Sequence, residues 1–330
     1  MFTQVILAPT NPEVWLPRLR HVTPCFMQDI YVEIDRLPRP GETVSARTGQ
    51  TLSGGKGANQ AVCAGKLEYP SVYFVGRVGE DANGRLIAEA LVGGGVMVEY
   101  LKGVGGGGVP TGHAVVMLQS GGQNSIIIVG GANMEGWAQV LDEGELEVVR
   151  NAGIVLLQRE IPDYVNIQVA KAARSAGVPV ILDAGGMDGL IPVDLLTNVD
   201  IFSPNETELE RLTGMPTESF EQISQSVAKI HEMGVKEVLV KLGSKGSALF
   251  VEGEEPVRQP IIAAKKVIDT TGAGDTFTAA FAVALVEGKS KQECLEFAAA
   301  AASLCVQVKG AIPSMPERKA VLDLLGSRLI

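Results

Sequence analysis

The chain is poor in the side chains that most often carry metal or redox chemistry. Its three histidines, His21, His113 and His231, stand far apart without ligand spacing, which leaves each a surface or packing role. The four cysteines, Cys25, Cys63, Cys294 and Cys305, contain no C-x-x-C pair, so small buried thiols in a reduced compartment are expected. Positive charge is scarce as well. A net charge of −10 argues against a nucleic-acid backbone or an anionic membrane as the main partner. No apolar run approaches the roughly 20 residues of a membrane span. Residues 1–28 show neither a secretory apolar core nor the serine-rich character of a transit peptide. A Walker A loop is missing, and no G-x-G-x-x-G follows the first strand with an acid further on, which removes a Rossmann oxidoreductase.

What is present reads as a soluble globular protein, 46% apolar and 20% charged, of one large domain with an elaboration or of two domains. From about residue 150, short apolar runs (154–158, 180–182, 200–202, 238–240) alternate with helical segments such as 163–176 and 218–233. That pattern predicts an α/β fold, a mostly parallel sheet flanked by helices. Earlier stretches (31–34, 42–46, parts of 113–118) alternate polar with apolar, and 125–129 is apolar. They predict a small antiparallel β lid with one wet face, formed from about 29–52 and 109–131. Gly121, Gly122 and Asn124 supply a hairpin turn, and residues 103–108 a glycine hinge.

Two glycine-rich junctions carry the chemistry. In Asp269-Thr-Thr-Gly-Ala-Gly-Asp275, Gly272 and Gly274 permit a tight turn that points bare N–H groups at one spot. An amphipathic helix follows, marked by Phe277, Ala280, Phe281, Ala284 and Leu285 and closed by Gly288. Its positive end attracts an anion, yet Asp275 places a carboxylate beside it. That pairing suits proton abstraction from a hydroxyl while the N–H groups hold a phosphoryl group; the plain alternative is a strand-to-helix turn with Asp275 favouring the dipole. The second junction, Ser53-Gly-Gly-Lys-Gly-Ala-Asn-Gln60, would let backbone close on a small polar ligand, with Lys56 and Asn59 as donors; its alternative is a closely packed helix start. Polar or glycine-rich turns at Gln158–Glu160, Asp183, 203–208 and 241–246 follow four strands and predict one shared cleft.

Together, in this order, the two motifs resemble the ribokinase / phosphofructokinase-B family of sugar kinases, with Thr111-Gly-His-Ala, Asn205-Glu-Thr-Glu and the early segment 34–43 adding to the likeness, which runs from about Asp29 to Ser314. The resemblance implies ATP-dependent phosphorylation of the primary 5-hydroxyl of D-ribose. It makes Asp275 the base and Gly272, Ala273 and Gly274 the anion hole. It assigns Asp29, Gly55, Lys56, Gly57, Ala58, Asn59 and Glu160 to the sugar. Asn205, Lys241, Leu242, Gly243, Ser244, Lys245, Gly246, Gly274 and Ala299 fall to ATP. Asn205 and Glu208 would organise Mg²⁺ through water, and Asp269, Thr271, Cys305, Val308, Gly310 and Ser314 a K⁺ activator. A homodimer through the lid is expected.

The likeness has a sharp edge. Residues 1–28 form a divergent segment in which Pro24 interrupts the expected first strand and Met27 stands where the family has asparagine. An altered start of the chain is therefore an expectation, with residues 3–8 replacing the lost central strand. Loss of the asparagine donor would make a deoxy sugar less disfavoured. Deoxyribokinase, fructokinase and nucleoside kinase are the alternatives within the family, and a catalytically weak sugar or nucleotide sensor is the alternative outside it. The cytoplasm is the expected compartment, with a plastid as alternative because residues 181–186 look plant-like.

Overall fold

A computed structural model of the chain describes residues 4–7, 28–105, 108–119, 124–187 and 189–327. Its strands are β1 Gln4–Leu7, β2 Gln28–Ile34, β3 Thr48–Leu52, β4 Val72–Gly79, β5 Val96–Met97, β6 Leu101–Val104, β7 His113–Gln119 and β8 Asn124–Val129, then β9 Ile154–Gln158, β10 Val180–Asp183, β11 Ile201–Ser203, β12 Glu237–Lys241, β13 Ser247–Val251 and β14 Val257–Gln259. Ten of them form one sheet in the order β14-β13-β12-β11-β10-β9-β1-β4-β5, with β6 paired to β4. Only β1 and β13 run against the others, so the expected mostly parallel sheet is present.

Residues 4–7 take the central place between β4 and β9, antiparallel to both. This is the replacement strand expected from residues 3–8. Without it, the inner edges of β4 and β9 would have unpaired backbone groups in the middle of the protein.

Alternate side chains of the central strands feed two separate cores, as a sheet covered on both faces requires. On β9, Ile154 and Leu156 face one core, and Val155 and Leu157 face the other. The first core holds the helices Lys56–Lys66, Ala82–Gly93, Ala273–Val286 and Lys291–Cys305. The second holds Glu143–Arg150, Asp163–Ser175, Glu206–Thr213 and Phe220–Glu232.

The helix Ala273–Val286 corrects one expectation. It is not amphipathic, because every residue from Asp275 to Ala284 is buried. It is sandwiched between the Lys56–Lys66 and Lys291–Cys305 helices, and a helix apolar on all sides belongs in a core.

The lid is a separate four-stranded sheet, β3-β2-β7-β8, and it is mixed rather than antiparallel. β2 and β7 run parallel, in register from Gln28–His113 to Ile34–Gln119. Residues 42–46 are not a strand either. Arg36 forms a two-pronged ion pair with Glu42, and the Arg39 N–H donates to the same carboxylate. This closes a turn and moves the strand on to β3. The hinge expectation fails in part, since Gly103 and Val104 belong to β6, while Gly106 and Gly107 lie outside the described residues. The hairpin glycines Gly121 and Gly122 lie outside them too, as do Met27 and Pro24.

Candidate active site

The loop from Asp269 turns at Gly272, whose φ of +80° is a left-handed value that side chains other than glycine's rarely adopt. A Cβ there would also press on Ala311 and Met315. No side chain caps the helix that follows. The Ala273 N–H donates to the Thr270 carbonyl at 3.2 Å, so the anion-hole role expected of it is corrected, and among the described residues the N–H groups of Gly274 and Asp275 stay free at the positive end of the dipole. That end opens on a cavity of about 870 Å³ with residues 270–275 on its wall.

Asp275 sits in the first turn with both carboxylate oxygens engaged. Asn59 Nδ2 donates to Oδ2 at 2.8 Å and Gln60 Nε2 donates to Oδ1 at 3.3 Å. Gln158 Nε2 in turn donates to Gln60 Oε1 at 2.7 Å, so a buried amide relay fixes the carboxylate's direction. A carboxylate so oriented, on the wall of a cavity and next to free N–H groups, can take a proton from a hydroxyl as an anion forms beside it.

The Lys56–Lys66 helix starts from Gly55, at φ +97°, and aims Gly55, Lys56 and Asn59 into the cavity. Gly57 and Ala58 are buried in the helix and are absent from the cavity wall, so the sugar role expected of them is corrected: they let the helix pack closely. Glu160 is on the wall, and burial pushes its carboxyl well above the usual carboxylate range. Its Oε2 and Asn59 Oδ1 are buried with no hydrogen-bond partner. The turn after β10 presses on this corner, since a Cβ on Gly186 would lie 1.9 Å from Glu160 Cγ. Fully buried Arg159 ties that turn down, donating to the carbonyls of Gly189 at 2.7 Å and Leu190 at 2.9 Å.

Asp183, at the end of β10 and fully buried, accepts from Lys56 Nζ at 3.1 Å and from Lys241 Nζ at 2.7 Å. Burial opposes its charge, but the two ammoniums hold its carboxyl well below the ordinary range. Burial likewise opposes the charge of Lys56, and the carboxylates of Asp183, Asp275, Glu208 and Glu160 more than offset it, so the ammonium is firmly charged.

Close to Lys56, where a Cβ on Gly185 would lie 2.6 Å from its Nζ and 2.7 Å from Glu208 Oε1, Asn205 and Glu208 form a reciprocal capping box on the helix Glu206–Thr213. Asn205 Oδ1 accepts the Glu208 N–H at 2.7 Å and Glu208 Oε2 accepts the Asn205 N–H at 2.8 Å. Both residues line the cavity, as do Lys241, Gly243, Ser244, Gly246 and Ala299. Leu242 is instead packed in the second core, and Lys245 is exposed and paired with Glu206, so neither lies on the wall. Apolar side chains, among them Ile262, Phe277, Ala302 and Val306, complete the wall.

The expected K⁺ residues gather behind the anion hole. Asp269 accepts from the Thr271 and Gly310 N–H groups, both at 2.9 Å, while the Cys305 thiol lies 3.1 Å from Ser314 Oγ and 3.8 Å from the Thr271 carbonyl. Val308 is half exposed nearby in sequence. The backbone of Asp29 pairs with Leu52 and Ala114 in the lid; its side chain lies outside the described residues.

From the sequence, Gln158 and Asp183 belong to the shared cleft and Gln60 ends the second glycine-rich motif, but none of the three is given a role there. Gln158 and Asp183 each end an apolar run with a buried polar group, and that was the available signal. Which partner each would meet depended on strands and helices far apart in the chain.

Comparison with known proteins agrees with this geometry. Residues 25–318 match the pfkB family of carbohydrate kinases. Ribokinase of Arabidopsis thaliana is 73% identical over 90% of this chain and 78% of its own length. Ribokinase of Bacillus subtilis is 37% identical over 90% and 96%. The structure of Arabidopsis thaliana ribokinase complexed with ribose and ATP superposes with a TM-score of 0.85 at 70% identity, covering 92% of this chain and 99% of that one. The chain belongs to the pfkB family of carbohydrate kinases.

Proposed function

We propose that the chain transfers the γ-phosphoryl group of ATP to the primary 5-hydroxyl of D-ribose, giving ribose 5-phosphate. The observation that carries this is the Asp275 carboxylate, held on both oxygens and set in the first turn of a helix whose Gly274 and Asp275 N–H groups are free. Ribose and ATP are the ligands of the similar Arabidopsis ribokinase structure. The unpartnered Asn59 Oδ1 and Glu160 Oε2 suit sugar hydroxyls, with Lys56 beside them. Asp275 takes the hydroxyl proton, and the free N–H groups of Gly274 and Asp275 hold the phosphoryl oxygens. Ala114, Val116 and Ile128 of the lid stand on the cavity wall, where closure would keep water from competing with the sugar.

The donor sets fit two ions in different ways. Among the described residues no three acidic, cysteine or histidine side chains converge as metal ligands, and the capping box commits one oxygen each of Asn205 and Glu208. Magnesium therefore fits there through water, with the nucleotide phosphates as its main ligands, and supplies charge neutralisation. Potassium fits among Asp269, the Thr271 carbonyl, Cys305, Val308, Gly310 and Ser314, where it would tune the anion-hole loop without touching substrate. A homodimer through the lid is supported by the exposed Ile127, Ile128, Val129 and Ile30 on that sheet. We place the enzyme in the cytoplasm.

The test is ATP consumption by the purified full chain with Mg²⁺ and ribose, 2-deoxyribose, fructose or adenosine, with and without potassium. Ribose-dependent, potassium-stimulated turnover is expected. Preference for 2-deoxyribose would replace ribose as the substrate and implicate Met27. No turnover with any acceptor, from folded protein, would overturn the enzyme reading in favour of a binding role.

A further inference from the structure

Among the described residues, only two cationic side chains line the cavity, Lys56 and Lys241, and both end on the same carboxylate. Asp183 receives Lys56 on Oδ1 and Lys241 on Oδ2, and is itself held by the Gly185 N–H at 3.1 Å and by Thr278 Oγ1 at 3.3 Å. It stands at the carboxyl end of β10, between β9 and β11. The two ammoniums do not face the same partner beyond it. Lys56 Nζ lies 3.6 Å from Asp275 Oδ1, beside the base. The Lys241 stem runs past Gly274 of the anion hole, where a Cβ would lie 3.8 Å from its Cδ.

A lysine ammonium is a point charge on a flexible stem, and it directs nothing unless another group fixes it. Here one buried carboxylate fixes two, one beside Asp275 and one whose stem passes Gly274. Bound together, two ammoniums and one carboxylate keep one net positive charge, in a cavity whose other ionisable wall groups (Glu160, Glu206, Glu208 and Asp275) are acidic. A phosphoryl group in transfer spreads negative charge over its equatorial oxygens and gains most from a fixed positive charge.

We propose that Lys241 is a catalytic residue that lies against the oxygens of the phosphoryl group in flight, and that Asp183 is a positioning residue holding Lys241 and Lys56 astride the transfer path. The inference rests on the phosphotransfer reading above. In that step the bond from γ-phosphorus to the ADP oxygen breaks, its electron pair staying on ADP. The bond from phosphorus to the sugar oxygen forms, and the hydroxyl proton passes to Asp275. Lys241 neither gives nor takes a proton.

The experiment is steady-state kinetics, with ribose binding by calorimetry, on wild type, Lys241→Met, Lys241→Arg, Asp183→Asn and the Asp183→Asn/Lys241→Met double variant. Lys241→Met is expected to lower kcat about 100-fold with ribose affinity within about twofold, and Lys241→Arg to recover most of that loss. Asp183→Asn should lower kcat about tenfold and also raise KM for ribose through Lys56. In the double variant the effect on kcat should largely vanish while the effect on ribose KM remains, a non-additivity that general loosening of the fold would not produce. Should Asp183→Asn fail to fold, the two Lys241 variants decide the matter. Wild-type turnover that survives Lys241→Met within about threefold, or strictly multiplicative losses in the double variant, would overturn this inference alone. A wild type without ribose-dependent turnover would overturn the phosphotransfer reading and this inference with it.

Discussion

The two ends of the cavity are built on opposite principles. At the sugar end, Asn59, Gln60, Gln158, Glu160, Asp183 and Asp275 are all buried polar side chains, drawn from four sequence-distant elements, and all but Glu160 are bonded to one another or to lysines. The nucleotide end consists of a glycine-rich turn, two apolar helices and a loop whose Ile261 and Val267 are more than half-exposed or nearly so. Polar groups fixed in a buried site reject a wrong ligand strongly, because a missing hydroxyl leaves them unpaired. An apolar shelf discriminates by shape alone, and weakly. The contrast teaches that, on the proposed reading, selectivity for the acceptor belongs to the buried network rather than to the apolar shelf.

Substitutions at the two ends should therefore fail differently. The largest effect is expected from Asp275→Ala, which removes the group that both amides orient. Turnover should fall by about a thousandfold or more, with ribose affinity within a few-fold by calorimetry. An active variant would strip Asp275 of the base role and the sugar end of its chemistry. Next comes Gly186→Ala. Its φ of +118° and the 1.9 Å approach to Glu160 leave no room for a methyl group, so KM for ribose should rise about tenfold and thermal stability fall by about 1–3 kcal/mol. An unchanged ribose KM would mean that this turn does not shape the sugar end.

At the nucleotide end, Ala302→Leu narrows the apolar shelf and should raise KM for ATP about fivefold while leaving that for ribose alone. Equal changes in both constants would show that the two ends are not independent. The smallest effect concerns Glu160. Burial raises its folded carboxyl above the unfolded value, so the ligand-free protein is favoured with the group protonated. That contribution is complete at acidic pH and is lost as pH rises through the raised value. Thermal melts from acidic to mildly alkaline buffer should show this decline in wild type and not in Glu160→Gln. Asp183 contributes in the opposite sense: its lowered carboxyl stabilises the fold across neutral pH, and the contribution is lost only when pH falls through the acid range.

Much of this was legible in the chain. The apolar runs from residue 154 onward became β9–β12 within a residue or so, since a strand buried on both faces has no other reading next to helical segments. The Gly272–Asp275 junction was legible because a left-handed turn and a helix start are local events. The lid was legible only as strands. Their parallel pairing in β2 and β7, and the displacement of one strand from 42–46 to Thr48–Leu52, depended on partners in another excursion and on the Arg36–Glu42 ion pair. The burial of Ala273–Val286 on all sides was hidden for the same reason: alanine-rich faces look half polar until helices close over them.

Sequence by itself determined the α/β class, the family and the glycine turn that sets the candidate base Asp275 in the first turn of a helix, because each rests on glycine conformations, periodicity or a motif contained within a few residues. Only the tertiary structure decided which groups orient that base, that Gly57, Ala58 and Leu242 turn inward, and that Lys56 and Lys241 share Asp183. Those partners lie 58 to 216 residues apart in the chain. No local spacing encodes such a meeting; it arises when the strands of one sheet bring their carboxyl ends to a common edge.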